Sequence, residues 1–284
     1  MSHIPPRHGK TAIVLAILGT ALAGPSLAAA APPQPVALLS YADFADLADR
    51  APVVVRAKVR KVAVVEPARA PGLKPGWARL FVKAQAVSLM AGTPLTGSAL
   101  RYLADVPLDA KGRVPKLAKR EVLVFADTVS GKPGELQLVA PDAQVLWSPE
   151  GEARLRGVLE EMLAAGAPAR IERVQEAIYV PGNLAGEGET QMFLATADGE
   201  PASITVTHAP GQPPRWSVSF AEVVDATGEP PRRESLAWYR LACFLPRTLE
   251  PRANVSATPS DRAMAETDYA FVLNELGECP RSRR

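Results

Sequence analysis

Residues 53–65 alternate with the period of a half-buried strand. Val53, Val54, Val55, Ala57, Val59, Val62, Val64 and Val65 supply a β-branched apolar run, and the alternation sends Arg56, Lys58 and Arg60 to the opposite face. Just upstream, Ser40 is placed to cap a short helix whose Tyr41, Phe44, Ala45 and Ala48 share one side, and Pro52 ends it. Beyond a Pro/Gly loop from Pro67 to Gly76, Trp77 to Met90 reads as a long strand with Leu80, Val82, Ala84 and Ala86 on one face, closed by Ala91-Gly92-Thr93-Pro94. Shorter strands are predicted at Leu100–Val106, Glu121–Ala126, Glu135–Val139 and Gln144–Trp147. Turn chemistry separates them at Asp109–Gly112, Ser130–Gly134 and Pro141-Asp142. This spacing predicts an antiparallel barrel or sandwich. Ser148-Pro149-Glu150 then opens a helix with a capping hydroxyl, a proline at the first helical position and an acid at the positive end. Leu155, Val158, Leu159, Met162 and Leu163 repeat at helical spacing up to Gly166.

The chain restarts after Gly166-Ala167-Pro168 with strand patterns at Ile171–Val180, Thr190–Thr196, Ala202–His208 and Arg215–Val224. Asp198-Gly199 between two alternating runs is a hairpin signal, so a second, meander-like antiparallel sheet is expected. Pro230 and Pro231 end it. Two helical segments follow, Glu234–Leu245 and Ser260–Leu276, with Gly277 closing the second. The predicted fold class is therefore α+β and β-dominated. A first domain over 40–166 carries the barrel with its flanking helices, and a second over 167–284 carries the meander and the two C-terminal helical segments.

The first 30 residues have a different character. Arg7 and Lys10 precede an apolar stretch from Thr11 to Leu22, and Gly24-Pro25 break it ahead of the small residues Ala28, Ala29 and Ala30. This is the pattern of a cleaved signal peptide, and the apolar stretch is shorter than the ~20 residues a bilayer span needs. No cysteine stands near the cleavage site and no twin arginine precedes the apolar stretch. A Pro-rich lead, 31–39, joins this leader to the first helix. The expected location is periplasmic or secreted, with no stable membrane span after cleavage.

Charge and histidine content change with that cut. Two of the 32 Lys and Arg lie in the leader, which leaves 30 against 30 Asp and Glu. A formally neutral mature chain removes the main argument for nucleic-acid binding. His3 and His8 also leave, so His208 is the only histidine of the mature chain. Zinc sites built on two or three histidines are thereby excluded, and any Ser-His or Cys-His chemistry must run through His208.

Candidate chemistry is sparse. Cys243 and Cys279, in a chain read as exported, are expected to form a structural disulfide, since no Cys-x-x-Cys pair or sequence-adjacent imidazole marks a reactive thiol. His208, at the end of a predicted strand, is the one candidate polar site. No nucleophile elbow accompanies it, and its plainer role is a polar surface residue. Gly182-Asn-Leu-Ala-Gly-Glu-Gly-Glu-Thr190 resembles a phosphate loop only superficially, because Glu187 and Glu189 stand where a lysine is needed; a mobile acidic loop is expected. Glu160-Glu161 is expected to be a solvated helix face rather than a glycosidase pair. Trp147, Trp216, Trp238 and Tyr239 are expected in the core. The basic tail Arg281, Arg283 and Arg284 is expected to be solvated and frayed. No metal, cofactor or catalytic constellation is assigned.

The helix at Ser40, the strand Ala51-Pro-Val-Val-Val-Arg-Ala-Lys-Val, the long second strand, the core strand Arg120-Glu-Val-Leu-Val-Phe-Ala, a short hairpin and the closing helix together resemble the OB-like barrels of netrin/TIMP-like domains in exported bacterial proteins, over residues 40–165. Inhibitors of that superfamily chelate a protease metal through an N-terminal cysteine. This domain contains no cysteine, so that activity does not carry over. The function expected is a non-enzymatic binding module of the bacterial envelope, whose partner is another envelope protein or a cell-surface component, met through β-edges or loops and involving no nucleic acid. The alternatives are an envelope hydrolase using carboxylates or a Ser with a base other than His, and a protease inhibitor acting through the Pro67–Gly76 loop.

Overall fold

A computed structural model describes Met1, His3, residues 39–220 and residues 228–283. The signal-peptide reading at 1–30 and nearly all of the 31–39 lead fall outside the described residues. Two antiparallel sheets and four helices make up the β-dominated α+β architecture. Residues Leu38–Arg284 cluster as one compact unit that holds both sheets. No helix among the described residues is long and apolar enough to cross a membrane.

Helix α1 (Tyr41–Ala48) starts where the capping hydroxyl predicts. Ser40 Oγ accepts from the Asp43 amide while Asp43 reaches back to the Ser40 amide, a complete capping box. The first sheet runs β3-β2-β1-β4-β5, with β6 also paired to β4. Its strands are β1 (Val53–Val64), β2 (Trp77–Gly92), β3 (Ala99–Pro107), β4 (Glu121–Thr128), β5 (Leu136–Leu138) and β6 (Gln144–Leu146). Val55, Ala57 and Val59 of β1, Leu80, Val82 and Ala84 of β2, and Leu100, Tyr102 and Ala104 of β3 form its buried face. The pairing skips Val87 of β2 between Arg56 and Ala57 and Arg60 of β1 between Val59 and Lys61, so each strand carries a bulge; β1 buries Val53, Val54, Val55, Ala57 and Val59, while Ala63 and Val64 at its end are exposed. The β3 edge meets the loops on either side of β5: the Arg101 amide donates to Gly134 O at 2.8 Å and the Asp105 amide to Pro141 O at 2.7 Å. A Cβ on Gly134 would run into the Ala99 carbonyl, so this approach requires glycine there.

Helix α2 (Pro149–Leu163) has Ser148 as its cap and buries Leu155, Val158 and Leu159. It ends at Leu163 rather than at Gly166, because Ala164 is already extended. The second sheet runs β10-β9-β8-β7, from β7 (Ile171–Pro181), β8 (Gly188–Thr196), β9 (Ala202–His208) and β10 (Arg215–Ser219). Asp198-Gly199 makes the β8–β9 hairpin as expected. The last strand ends at Ser219; the expected continuation to Val224 runs into residues 221–227, outside those described. Helix α3 (Leu236–Ala242) is shorter than the pattern at 234–245 predicts, and α4 (Pro259–Leu276) covers β7 and β8. The outer edge of β7 is covered too: the Val255 amide donates to Ala177 O and the Tyr179 amide to Ser256 Oγ.

The C-terminal tail departs from expectation. Instead of fraying, it docks on α1. Asp43, 1 % exposed, accepts from the Ser282 and Arg283 amides and from Ser282 Oγ, and Asp46 accepts from Arg281 at 2.5 and 3.0 Å. Asp49 takes a bidentate pair from Arg240 at 2.7 and 2.9 Å. Three acids spaced i, i+3, i+6 lie on one side of α1, so one helix face holds the tail and α3 together.

Candidate functional site

The outward side of the first sheet carries the strongest feature of the molecule. With Val55, Ala57, Val59 and Val62 pointing inward, the register turns Arg56, Lys58 and Lys61 outward, with Arg60 at the bulge. Lys61 stands opposite Lys83 of β2, and Lys83 stands opposite Arg101 of β3, so three cations occupy one cross-strand row. Arg60 Nε donates to Gln85 Oε1 at 3.1 Å, which holds the guanidinium over the same surface. The exposed Lys119 and Arg120 lie beside β1 through backbone bonds to Val59, 2.9 Å each. Phe81 faces Leu103, which is 50 % exposed, and Val87 is 49 % exposed further along β2, so apolar side chains border the cations.

Some of these charges are compensated. Arg79 forks onto Asp105 at 2.7 and 2.9 Å, Arg101 reaches Glu135 at 3.4 Å, and Arg56 bridges Glu121 and Glu152 while stacking 4.0 Å from the Trp147 ring. Lys58, Arg60, Lys61 and Lys83 have no carboxylate within ion-pair distance among the described residues. Like charges opposite each other repel: at ~5 Å in water the Coulomb term is about 0.8 kcal/mol per pair. The fold therefore holds four uncompensated cations, Lys58, Arg60, Lys61 and Lys83, that an anionic partner would relieve.

A balance of 32 Lys and Arg against 30 Asp and Glu over the whole sequence hides this concentration. Between Ala51 and Ala104 there are nine Lys or Arg and a single acid, Glu66, so nearly all of the chain's 30 acids lie elsewhere. A running charge count, rather than the total, is the signal that finds these residues.

The second sheet places His208 differently from a plain surface residue. Its Nε2 lies 2.9 and 3.0 Å from the two carboxylate oxygens of Asp268, which projects from α4 and is 1 % exposed. Thr190 Oγ1 donates to the same carboxylate, and the Tyr179 ring meets the imidazole edge-on at 6.1 Å. Register brings this about, since His208 pairs with Gly188 and Val206 with Thr190, beneath α4. In the tautomer that donates from Nε2 to the carboxylate, Nδ1 is the lone-pair nitrogen. His208 borders an open groove of about 540 Å³ whose rim carries Glu187, Glu189, Gln191 and Thr207. Among the described residues no serine or cysteine joins the His208–Asp268 pair.

Cys243 and Cys279 lie at disulfide distance and are bonded, S–S 2.08 Å, linking the end of α3 to the segment after α4. The loop expected to be mobile is closed on itself, for Glu187 accepts from the Asn183 and Leu184 amides at 3.1 Å each. Glu161 is not a solvated acid either; it takes the Leu236 amide at 2.5 Å at the start of α3. Trp216, Trp238 and Tyr239 are buried and Trp147 is half-buried. Among the described residues no group of three or more His, Cys, Asp or Glu is arranged to hold a metal ion.

The class these features define is a β-dominated α+β protein with a basic sheet face. A scan against protein-family models finds none that matches the chain, and a search of curated proteins finds no similar sequence.

Proposed function

We propose that this chain is a non-enzymatic binding protein of the bacterial envelope, periplasmic or secreted, whose contact surface is the outer face of β1, β2 and β3. Its partner there is an anionic polysaccharide of the cell surface. The observation that carries the reading is the cross-strand row Lys61–Lys83–Arg101 with Lys58 and Arg60 beside it, in a stretch from Ala51 to Ala104 that holds one acid. Cations on adjacent strands sit about 5 Å apart, and on one face of a strand about 7 Å apart, a two-dimensional array suited to a polymer with repeated negative charge. Exposed Leu103 and Val87 add apolar contact for the sugar backbone. The bonds from β3 to the loops flanking β5 support reading the first sheet as an OB-like barrel, a fold that presents curved sheet faces to extended ligands. The disulfide is compatible with an oxidising compartment.

Binding to a carboxylated or sulfated polysaccharide, measured beside a neutral polysaccharide and anionic vesicles, tests this. The acidic polymer is expected to bind the wild type, and Lys61→Glu with Lys83→Glu to weaken it at least tenfold. Equal binding of wild type and double variant would end the proposal.

A second reading, an envelope hydrolase, is favoured by one observation: the buried Asp268 orients His208 as a base. Ester and peptide turnover by wild type, lost in both His208→Ala and Asp268→Asn, would establish it. No turnover by the wild type would remove it.

A further inference from the structure

The second sheet opens its outer side to solvent over β7 and β8. Thr190, Met192 and Leu194 of β8 are buried on the α4 side, so the alternation turns Glu189, Gln191 and Phe193 the other way. Pairing sets Glu176 beside Phe193, Ile178 beside Gln191 and Val180 beside Glu189 on that outer face. Phe193 is 37 % exposed and Val180 55 %. Neither Glu176 nor Glu189 has a Lys or Arg within ion-pair distance among the described residues. Between Ile171 and Glu200 six acids stand against one base, Arg173, the reverse of the balance between Ala51 and Ala104. The bases of the face, Arg173 opposite Ala195 and Arg215 two strands from Glu189, lie at opposite corners, away from its middle.

We infer that this face docks the basic face of a second copy of the same chain. The two surfaces carry one pattern in opposite charge. On the first sheet the cation row Lys61–Lys83–Arg101 lies beside an apolar row, Ala63–Phe81–Leu103, about 7 Å away along the strands. On the second sheet Glu176 lies about 5 Å from Phe193 across the strand pair. Setting Phe193 of one copy on Leu103 of the next brings Glu176 within side-chain reach of Lys83, which has no carboxylate of its own. Each charge then gains the partner its own fold withholds, and exposed apolar side chains leave water. Because the two faces differ, the contact is head-to-tail: a copy docked through one face keeps the other free, and assembly continues beyond a dimer. The inference uses the basic face as the fold presents it and does not depend on a polysaccharide binding there.

Sedimentation velocity of the purified protein tests this. At about 50 mM salt and roughly 5 to 500 μM protein, the range of a small, polar contact, the weight-average mass of the wild type is expected to rise with concentration past that of a dimer. Raising the salt to about 300 mM is expected to weaken association roughly tenfold, because the attraction is between exposed charges. Lys61→Glu with Lys83→Glu, and separately Glu176→Lys with Glu189→Lys, are each expected to sediment as monomers. Mixed one to one, the two double variants are expected to associate again, since the first keeps its acidic face and the second its basic face. That recovery also establishes that both variants fold. The Glu176→Lys, Glu189→Lys variant retains every cation of the first sheet, so its binding to acidic polysaccharide tests the first-sheet reading separately. A wild type that stays monomeric throughout, a double variant that associates like wild type, or a mixture that sediments as its separate components overturns the inference.

Discussion

Replacing Asp43 by Asn tests how firmly the two ends of the described unit are clasped. Every polar group around this carboxylate is a donor: the Ser40 amide at 3.1 Å and its Oγ at 2.9 Å, the Ser282 amide at 3.0 Å and its Oγ at 2.5 Å, and the Arg283 amide at 3.0 Å. Whichever way the Asn amide is turned, its NH2 faces donors and at least two charge-assisted bonds are lost. At roughly 1.5–3 kcal/mol for a bond to a charged group, with partial recovery through relaxation, the expected loss is about 2–4 kcal/mol. For a protein of this size that lowers the melting temperature by about 4–16 °C. Urea unfolding at pH 7 measures the loss. Deleting residues 281–284 should cost a similar amount, and the two changes together should cost less than their sum.

The pH dependence of this clasp has a definite sign. Burial raises the Asp43 carboxyl, but bonds from the Ser282 hydroxyl, the Arg283 amide and Ser40 outweigh burial and hold it below the ordinary value. The stabilisation is therefore fully present above the unfolded pKa, about 3.9, and is lost as pH falls through the lower folded value. Wild type and Asp43→Asn should converge in stability in that acid range. A loss under about 0.5 kcal/mol at pH 7, or a gap that widens in acid, would refute the reasoning.

Other consequences are as specific. Converting Cys243 and Cys279 to Ala opens a loop with a sequence separation of 36, and the loop-entropy relation gives an upper cost of about 4 kcal/mol, measurable by urea unfolding beside wild type. Asp268→Asn replaces the acceptor shared by His208 and Thr190 in a buried position and should cost about 2–4 kcal/mol, seen as faster amide exchange in α4 and β8. Glu152→Gln weakens the anchor shared by Arg56, Trp147 and Arg156 and should cost about 1–2 kcal/mol, with a shift in Trp147 fluorescence.

The local elements were largely legible in the sequence because their signals are local. The valine alternation of β1, the Ser40 and Ser148 caps and the Asp198-Gly199 turn all act within a few residues. The cysteine pair was legible from there being two cysteines in a chain read as exported. What escaped depends on distant partners. Asp268 lies 60 residues from His208, and nothing near His208 in the sequence announces it. The docking of Arg281 and Ser282 required seeing Asp43, Asp46 and Asp49 as one helix face, over 230 residues earlier. The basic sheet face was visible in part, since the alternation already turned Arg56, Lys58 and Arg60 outward. Lys83 and Arg101 joined them only through strand pairing, and the overall neutral balance concealed the set.

Salt titration of polysaccharide binding goes most directly to the claim that the first sheet's outer face is the contact surface. With four or so cations engaged, affinity for an acidic polysaccharide should fall roughly 10- to 100-fold between 50 and 200 mM salt, and Lys61→Glu with Lys83→Glu should flatten that slope by about half. An affinity that ignores salt, or a slope that the double variant leaves unchanged, would contradict the account.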